Sequence, residues 1–206
     1  MTATARRRTL LMLAALLLPV GLAGCGASDQ PPMSYPPVSY DYLTKMRLNV
    51  ASVDIDDSLA PSSDPRDVTR FAPIKPIDAL RQMGQDRLVA QGSTGRAVFV
   101  IDQASIQQNR DRYDGRMTAH LDVSTADGTR SGYAEARVER SSAFTNDGPN
   151  ATRAALNNLI TQMMADMNVE FEFQVRRSLK SYLTTTTPIA PAPAAIETED
   201  LGAPKP

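Results

Sequence analysis

Asp127-Gly128 constrains this chain more than any other pair of residues in it. Asp-Gly between two alternating runs is a strong hairpin signal, because glycine takes the positive φ that a tight turn demands. Placing it at the tip of a hairpin pairs Thr125 with Arg130 and sets the register outwards. One face then carries Val123–Gly132, Leu121–Ala134, Ala119–Ala136 and Met117–Val138. The other carries Asp122–Tyr133, His120–Glu135, Thr118–Arg137 and Arg116–Glu139. Apolar meets apolar and polar meets polar at every pair, although the turn alone aligned them. Opposite charges facing each other add roughly 0.2–1 kcal/mol per pair. On the second strand the apolar face is small: Gly132, Ala134 and Ala136 leave room for a helix to lie close.

The rest of the chain arranges itself around that hairpin. Met46 to about Ile55 alternates, with a one-residue change of phase that predicts a bulge near Ala51-Ser52. Asp56 to Pro73 reads as a loop broken by prolines. Pro76 suits a first helical position, and Ile77, Leu80, Gly84 and Leu88 follow on one face. Gly84 there costs about 1 kcal/mol of propensity against Ala, which a close approach to a sheet explains. Gly92 and Gly95 are expected to end this helix. Ala97 to Ile101 is continuously apolar and predicts a covered strand running on through Ala104 and Ile106. From Pro149 to Leu183, apolar residues recur three or four apart, which predicts one helix of about 35 residues, or ~50 Å. Within it, Asn168 to Phe173 also alternates with period two, so a break or short strand there is the competing reading.

These elements predict an α+β fold. A mainly antiparallel four-stranded sheet carries two helices on one face, in the order β-α-β-β-β-α, and the last helix is long. A sheet of ordinary size covers only half of ~50 Å of helix. Leu156, Ile160, Met163 and Met167 are therefore expected in the core. Phe171, Val175, Leu179 and Tyr182 are expected to overhang as an apolar stripe that docks a second copy or another envelope protein.

The amino terminus addresses the protein. Arg6, Arg7 and Arg8 precede a short apolar run interrupted by Pro19, and small residues lead into Cys25. A basic head, an apolar body and a small-residue exit make a secretory signal rather than a membrane span. Leu22-Ala23-Gly24-Cys25 resembles the lipobox of bacterial lipoproteins. The resemblance implies cleavage before Cys25, a diacylglycerol thioether on its sulfur, and usually an acyl chain on its new amine. Gly26, where an Asp would signal retention, implies sorting to the outer membrane, facing the periplasm. Residues 1–24 are then signal and 25–43 a Pro-rich tether on which Tyr40 and Tyr42 begin to dock. Residues 44–183 form one domain, and 184–206 a Pro- and Thr-rich tail expected to stay disordered.

Losing Arg6, Arg7 and Arg8 takes the formal charge from −1 to −4, which does not suit nucleic acid. The only cysteine is consumed by the anchor, so neither disulfides nor thiol chemistry are expected. The lone His120 lies on the solvent face opposite Glu135, a placement that fits a surface residue better than a catalytic dyad or metal site. Asp54, Asp56, Asp57 and Asp64 cluster around a loop but lack the glycine and terminal acid of a calcium loop. There is no G-x-S-x-G and no phosphate-binding glycine loop. Met163, Met164 and Met167 form a soft cluster that suits core filling, or an adaptable apolar ligand.

No enzyme, cofactor or metal is therefore expected. By element order the chain resembles small envelope lipoproteins such as the auxiliary lipoproteins of lipid-transport ABC systems. It resembles also periplasmic activators with a domain like the amino-terminal part of TolB. The resemblance implies a non-enzymatic accessory or scaffold protein held to the bilayer through acylated Cys25. A carrier or sensor of an apolar ligand such as lipid is the alternative.

Overall fold

The computed structural model describes residues 34–144 and 147–184. The signal, Cys25, the first part of the tether and the carboxy-terminal tail lie outside the described residues. Eight elements follow in order: β1 (Met46–Leu48), β2 (Ser52–Asp56), α1 (Pro76–Arg87), β3 (Leu88–Ala90), β4 (Arg96–Asn109), β5 (Arg112–Ser124), β6 (Ser131–Ala143) and α2 (Pro149–Ser178).

The main sheet runs β2-β4-β5-β6, and β1 pairs with β3 in a second, small sheet. The hairpin register is the one the turn dictates: Val123 faces Gly132, His120 faces Glu135 and Met117 faces Val138. Thr125 N donates to Arg130 O at 3.0 Å across the mouth of the loop. Gly128 sits at φ +66°. The Asp127 carboxylate accepts from Thr125 Oγ1 (2.6 Å), Thr129 Oγ1 (2.8 Å) and Thr129 N (3.1 Å). These bonds hold its carboxyl down at about 2.

Two expectations about the sheet are corrected. It is mixed, because β2 runs parallel to β4, with Ile55 opposite Phe99. A helix between two strands carries the chain back to the end it left, so β2-α1-β4 must pair in parallel. The predicted single strand with a bulge is two strands: the change of phase marks where the chain leaves the small sheet and enters the large one. The first helix ends at Arg87 rather than near Gly92. Leu88 onwards is extended and pairs with Met46 onwards.

Both helices cover the same face. Gly84 sits against the sheet: a Cβ there would lie 3.0 Å from Phe99 Cδ1 and 3.1 Å from Ile55 Cδ1. α2 starts over β5, where Leu159 and Met163 meet Gly115, and ends over β6, where Leu179 and Tyr182 close over Gly132. The helix stays continuous through Asn168 to Phe173 and is 30 residues long.

The expected overhang does not exist. Phe171, Val175 and Leu179 are fully buried, and Phe171 packs edge-on against Phe99 with centroids 5.2 Å apart. Tyr182 is partly buried in a 3-10 turn, Lys180–Tyr182, that packs on the core. The reason is length. Strands β4, β5 and β6 hold 14, 13 and 13 residues. At ~3.4 Å per residue such a strand spans ~44 Å, which matches ~45 Å of helix. A sheet of typical strands of about 5–6 residues would have left half of α2 bare.

The amino-terminal segment and α1 are stitched to α2. Tyr40 is buried, and its N–H donates to Asp86 Oδ2 at 2.6 Å. Val38 and Leu43 pack on the core, so the described part of the expected tether lies on the domain. Tyr42, by contrast, is 80% exposed.

Candidate functional site

Three places on this fold can meet other molecules. The first is the outer face of the sheet around His120. The imidazole Nδ1 lies 2.7 Å from Asp102 Oδ2, and Nε2 lies 3.4 Å from Asp122 Oδ2. Its ring stacks at 5.2 Å on Tyr133, whose hydroxyl donates to Glu135 Oε2 at 2.6 Å. That bond pushes the Tyr133 phenol up to about 12. His120 therefore faces Glu135 in register but pairs with Asp102. Asp102 follows the inward Ile101 and faces outward by alternation; the register of β4 against β5 slips between Ile101 and Gln103, which leaves Asp102 as the extra residue and brings Ala104 and Ile106 inward. Nδ1 is held by Asp102, while Nε2 makes only the longer approach to Asp122. Among the described residues no group of three or more His, Cys, Asp or Glu side chains is arranged to hold a metal ion.

The second is a pair of open clefts. One, of about 580 Å³, is lined by Lys45, Arg47, Arg176 and Lys180 beside Met46 and Leu183. Two of its cations are answered locally: Lys45 pairs with Asp41 at 3.3 Å and Arg176 with Glu172 at 2.8 Å. The other cleft, of about 590 Å³, lies between the loop around Leu59 to Thr69 and β4. Its Asp64 is held by Arg66 and Gln107. This loop keeps the acidic residues of the sequence apart rather than gathering them.

The third is the flank formed by β6 and α2. At the other end of the sheet, β2 covers Arg96 to Val100 of β4. The loop covers the remainder, with Val68 N donating to Ile106 O (2.9 Å) and Gln108 N to Arg66 O (2.8 Å). Among the described residues nothing comparable covers the outer edge of β6, which pairs with β5 alone. In an antiparallel ladder alternate residues bond to one neighbour, and Arg130 bonds to Thr125. The N–H and C=O groups of Ser131, Tyr133, Glu135, Arg137, Glu139 and Ser141 therefore point to the open edge. Such a row is a template for another strand.

The outer side of α2 carries exposed apolar surface. Arg140 reaches from β6 to Asp166 of α2 (Nε–Oδ2, 2.6 Å) and to Gln162 (3.2 Å), which marks the side of the helix facing the edge. At 3.6 residues per turn Val169 and Phe173 lie about 200° round the helix from the buried Met167 and Phe171, so they point away from the sheet. Val169 is 73% and Phe173 53% exposed. The stripe expected from the sequence is thus buried, and two other residues of the same helix are the bare ones. They come from the stretch that alternates with period two, Asn168 to Phe173. Val169 and Phe173 are four apart and opposite Met167 and Phe171, a signal that was present in the sequence.

No family model and no curated protein matches this chain. Among solved structures it is similar to a protein of the DUF330 family from Xanthomonas campestris. That match has 10% identity and a TM-score of 0.40, over 70% of this chain and 96% of that one. It is similar also to a protein from Caulobacter crescentus described as a candidate lipoprotein. There the identity is 18% and the TM-score 0.27, over 47% of this chain and 72% of that one. Likenesses this loose transfer no residue and no role. No helix among the described residues is long and apolar enough to cross a membrane.

Proposed function

We propose that this chain is a lipoprotein of the bacterial envelope. It is anchored to the outer membrane through acylated Cys25, faces the periplasm, and acts as a non-enzymatic accessory or scaffold protein. One observation carries the role: the outer edge of the 13-residue strand β6 is unpaired among the described residues, and α2 above it leaves Phe173 and Val169 exposed on its outer side. Backbone groups that lack partners and apolar side chains left in water together make a docking surface for protein.

A carrier would need room between α2 and the sheet. Met163 and Met167 are fully buried, and Met163 Sδ presses so closely on Gly115 that a Cβ there would overlap it. The methionines fill that space, which supports the scaffold over the carrier.

The anchor is tested by Cys25→Ala. This variant is expected to leave the membrane fraction or to persist as an uncut precursor. Unchanged membrane association of a correctly cut form would refute the anchored reading.

A further inference from the structure

We infer that the cleft lined by Lys45, Arg47, Arg176 and Lys180 is a binding site for a phosphate monoester. The inference goes beyond the accessory reading and uses neither the β6 edge nor the anchor at Cys25.

The cleft forms where the first strand meets the end of the last helix. Leu48 bridges to Leu183, Thr184 N donates to Arg47 O at 2.9 Å, and Asn49 N donates to Tyr182 O at 2.7 Å. This pairing brings Lys45 and Arg47 beside Arg176 and Lys180, and among the described residues no acidic side chain joins them in the lining. The core does not require that gathering: Arg47 is the exposed residue between the buried Met46 and Leu48.

Two of the four charges are answered, Lys45 by Asp41 and Arg176 by Glu172. Among the described residues Arg47 and Lys180 have no acidic partner. Free carbonyls at a helix end attract cations, which is the ordinary reason for basic residues there. Here the carbonyls of Val175, Leu179, Lys180 and Tyr182 already accept from backbone N–H groups. Arg47, moreover, comes from β1 and not from the helix.

Two positive charges are therefore left facing one hollow. A phosphate monoester carries about −1.5 to −2 at pH 7 and offers three strong acceptor oxygens. It matches the charge left over, whereas a carboxylate or a phosphodiester supplies only one negative charge. The planar fork of Arg47 suits paired phosphate oxygens, and Lys180 adds a point charge. The volume of about 580 Å³ exceeds that of a phosphate alone and leaves room for a carbon skeleton beside Met46 and Leu183. The monoester can belong to a soluble compound or to a lipid headgroup.

The test is isothermal titration calorimetry of the full chain in a neutral detergent at low salt. The titrants are glycerol phosphate, and micelles of the same detergent carrying phosphatidic acid or, as the diester control, phosphatidylglycerol. Saturable binding of a monoester is expected. Arg47→Gln and Lys180→Gln are each expected to weaken it about tenfold, the loss of a charged hydrogen bond. Arg177→Gln removes the same charge from the same helix end but lies outside the lining, and is expected to change binding no more than about twofold. Circular dichroism confirms folding, and Lys180→Gln carries the test if Arg47→Gln does not fold.

Binding of glycerol phosphate and phosphatidic acid alike supports a site for soluble monoesters; binding of phosphatidic acid alone supports a site for a lipid headgroup. Failure of both to saturate the protein overturns the inference. So does a loss in Arg177→Gln as large as in Arg47→Gln, or phosphatidylglycerol binding more tightly than phosphatidic acid. Any of these failures leaves the accessory role and the anchor standing, since neither uses the cleft.

Discussion

Arg87 at the end of α1 donates through Nη1 to both the backbone O (2.9 Å) and the side-chain Oδ1 (3.1 Å) of Asn168 in the middle of α2. Its Nη2 reaches Thr44 O at 3.2 Å and the Glu172 carboxylate, and the whole side chain is 1% exposed. One buried guanidinium thus ties the two helices and the amino-terminal segment together. Arg87→Ala removes charged hydrogen bonds from a closed site and is expected to cost about 2–4 kcal/mol. Urea denaturation measures it. A loss under ~1 kcal/mol would show that the segments hold together without this residue.

Glu172 makes that junction sensitive to acid. Burial pushes its carboxyl up, but hydrogen bonds from Arg176 and Arg87 outweigh burial and hold it below its ordinary value of 4.5. The folded state therefore favours the carboxylate. Its contribution is complete above the ordinary value and is lost as pH falls below it, through the lowered value. Glu172→Gln is expected to flatten that part of the stability profile between pH 5 and pH 3. An identical slope in wild type and variant would place the acid sensitivity elsewhere.

Because the strands are long, both halves of α2 are core. Met163→Asp and Val175→Asp are each expected to cost several kcal/mol, as buried unpaired charges do. Val169→Asp is expected to change monomer stability by no more than about 0.5 kcal/mol. Thermal melts at low protein concentration separate the cases. A Val175→Asp protein as stable as wild type would restore the bare overhang.

Gly132 probes the same packing from the sheet. A side chain there would overlap Leu179 and Tyr182. Gly132→Val raises strand propensity, yet overpacking is expected to dominate at about 1–3 kcal/mol of destabilisation. A stabilised variant would mean that the end of α2 stands off the strand.

His120→Ala breaks the contact with Asp102 on a solvent-facing surface. It is expected to change stability by less than about 1 kcal/mol and to leave cellular function intact. Complete loss of function in a folded variant would overturn the non-enzymatic reading.

What was legible in the sequence was what neighbours in sequence decide. Asp127-Gly128 set the pairing from Met117–Val138 to Val123–Gly132 because a tight turn leaves no freedom of register. Pro76 marked a helix start, and Gly84 marked a close approach. Distant decisions were not legible. Nothing near Val53 says that its neighbour is Ala97 in parallel, because an intervening helix makes that choice. Nothing near Ile101 says that Asp102 bulges towards His120. The docking flank was missed for one quantitative reason. Strands β5 and β6 continue past Met117 and Val138 to Arg112 and Ala143; those extra residues take up the start of α2, with Leu159 and Met163 over Gly115, and so its end falls over Gly132 instead of beyond the sheet.

The first strand and the last described residues are joined. Leu48 forms a bridge with Leu183, and Thr184 N donates to Arg47 O at 2.9 Å. This contact closes a loop of nearly the whole domain, the kind of distant pairing that slows folding. It also sets an order of events. However the chain is delivered, from a ribosome or through a pore, β1 must wait for residues 183 and 184 before its free side is covered. Until Thr184 emerges, that side of β1 stays open however much of the main sheet has already formed.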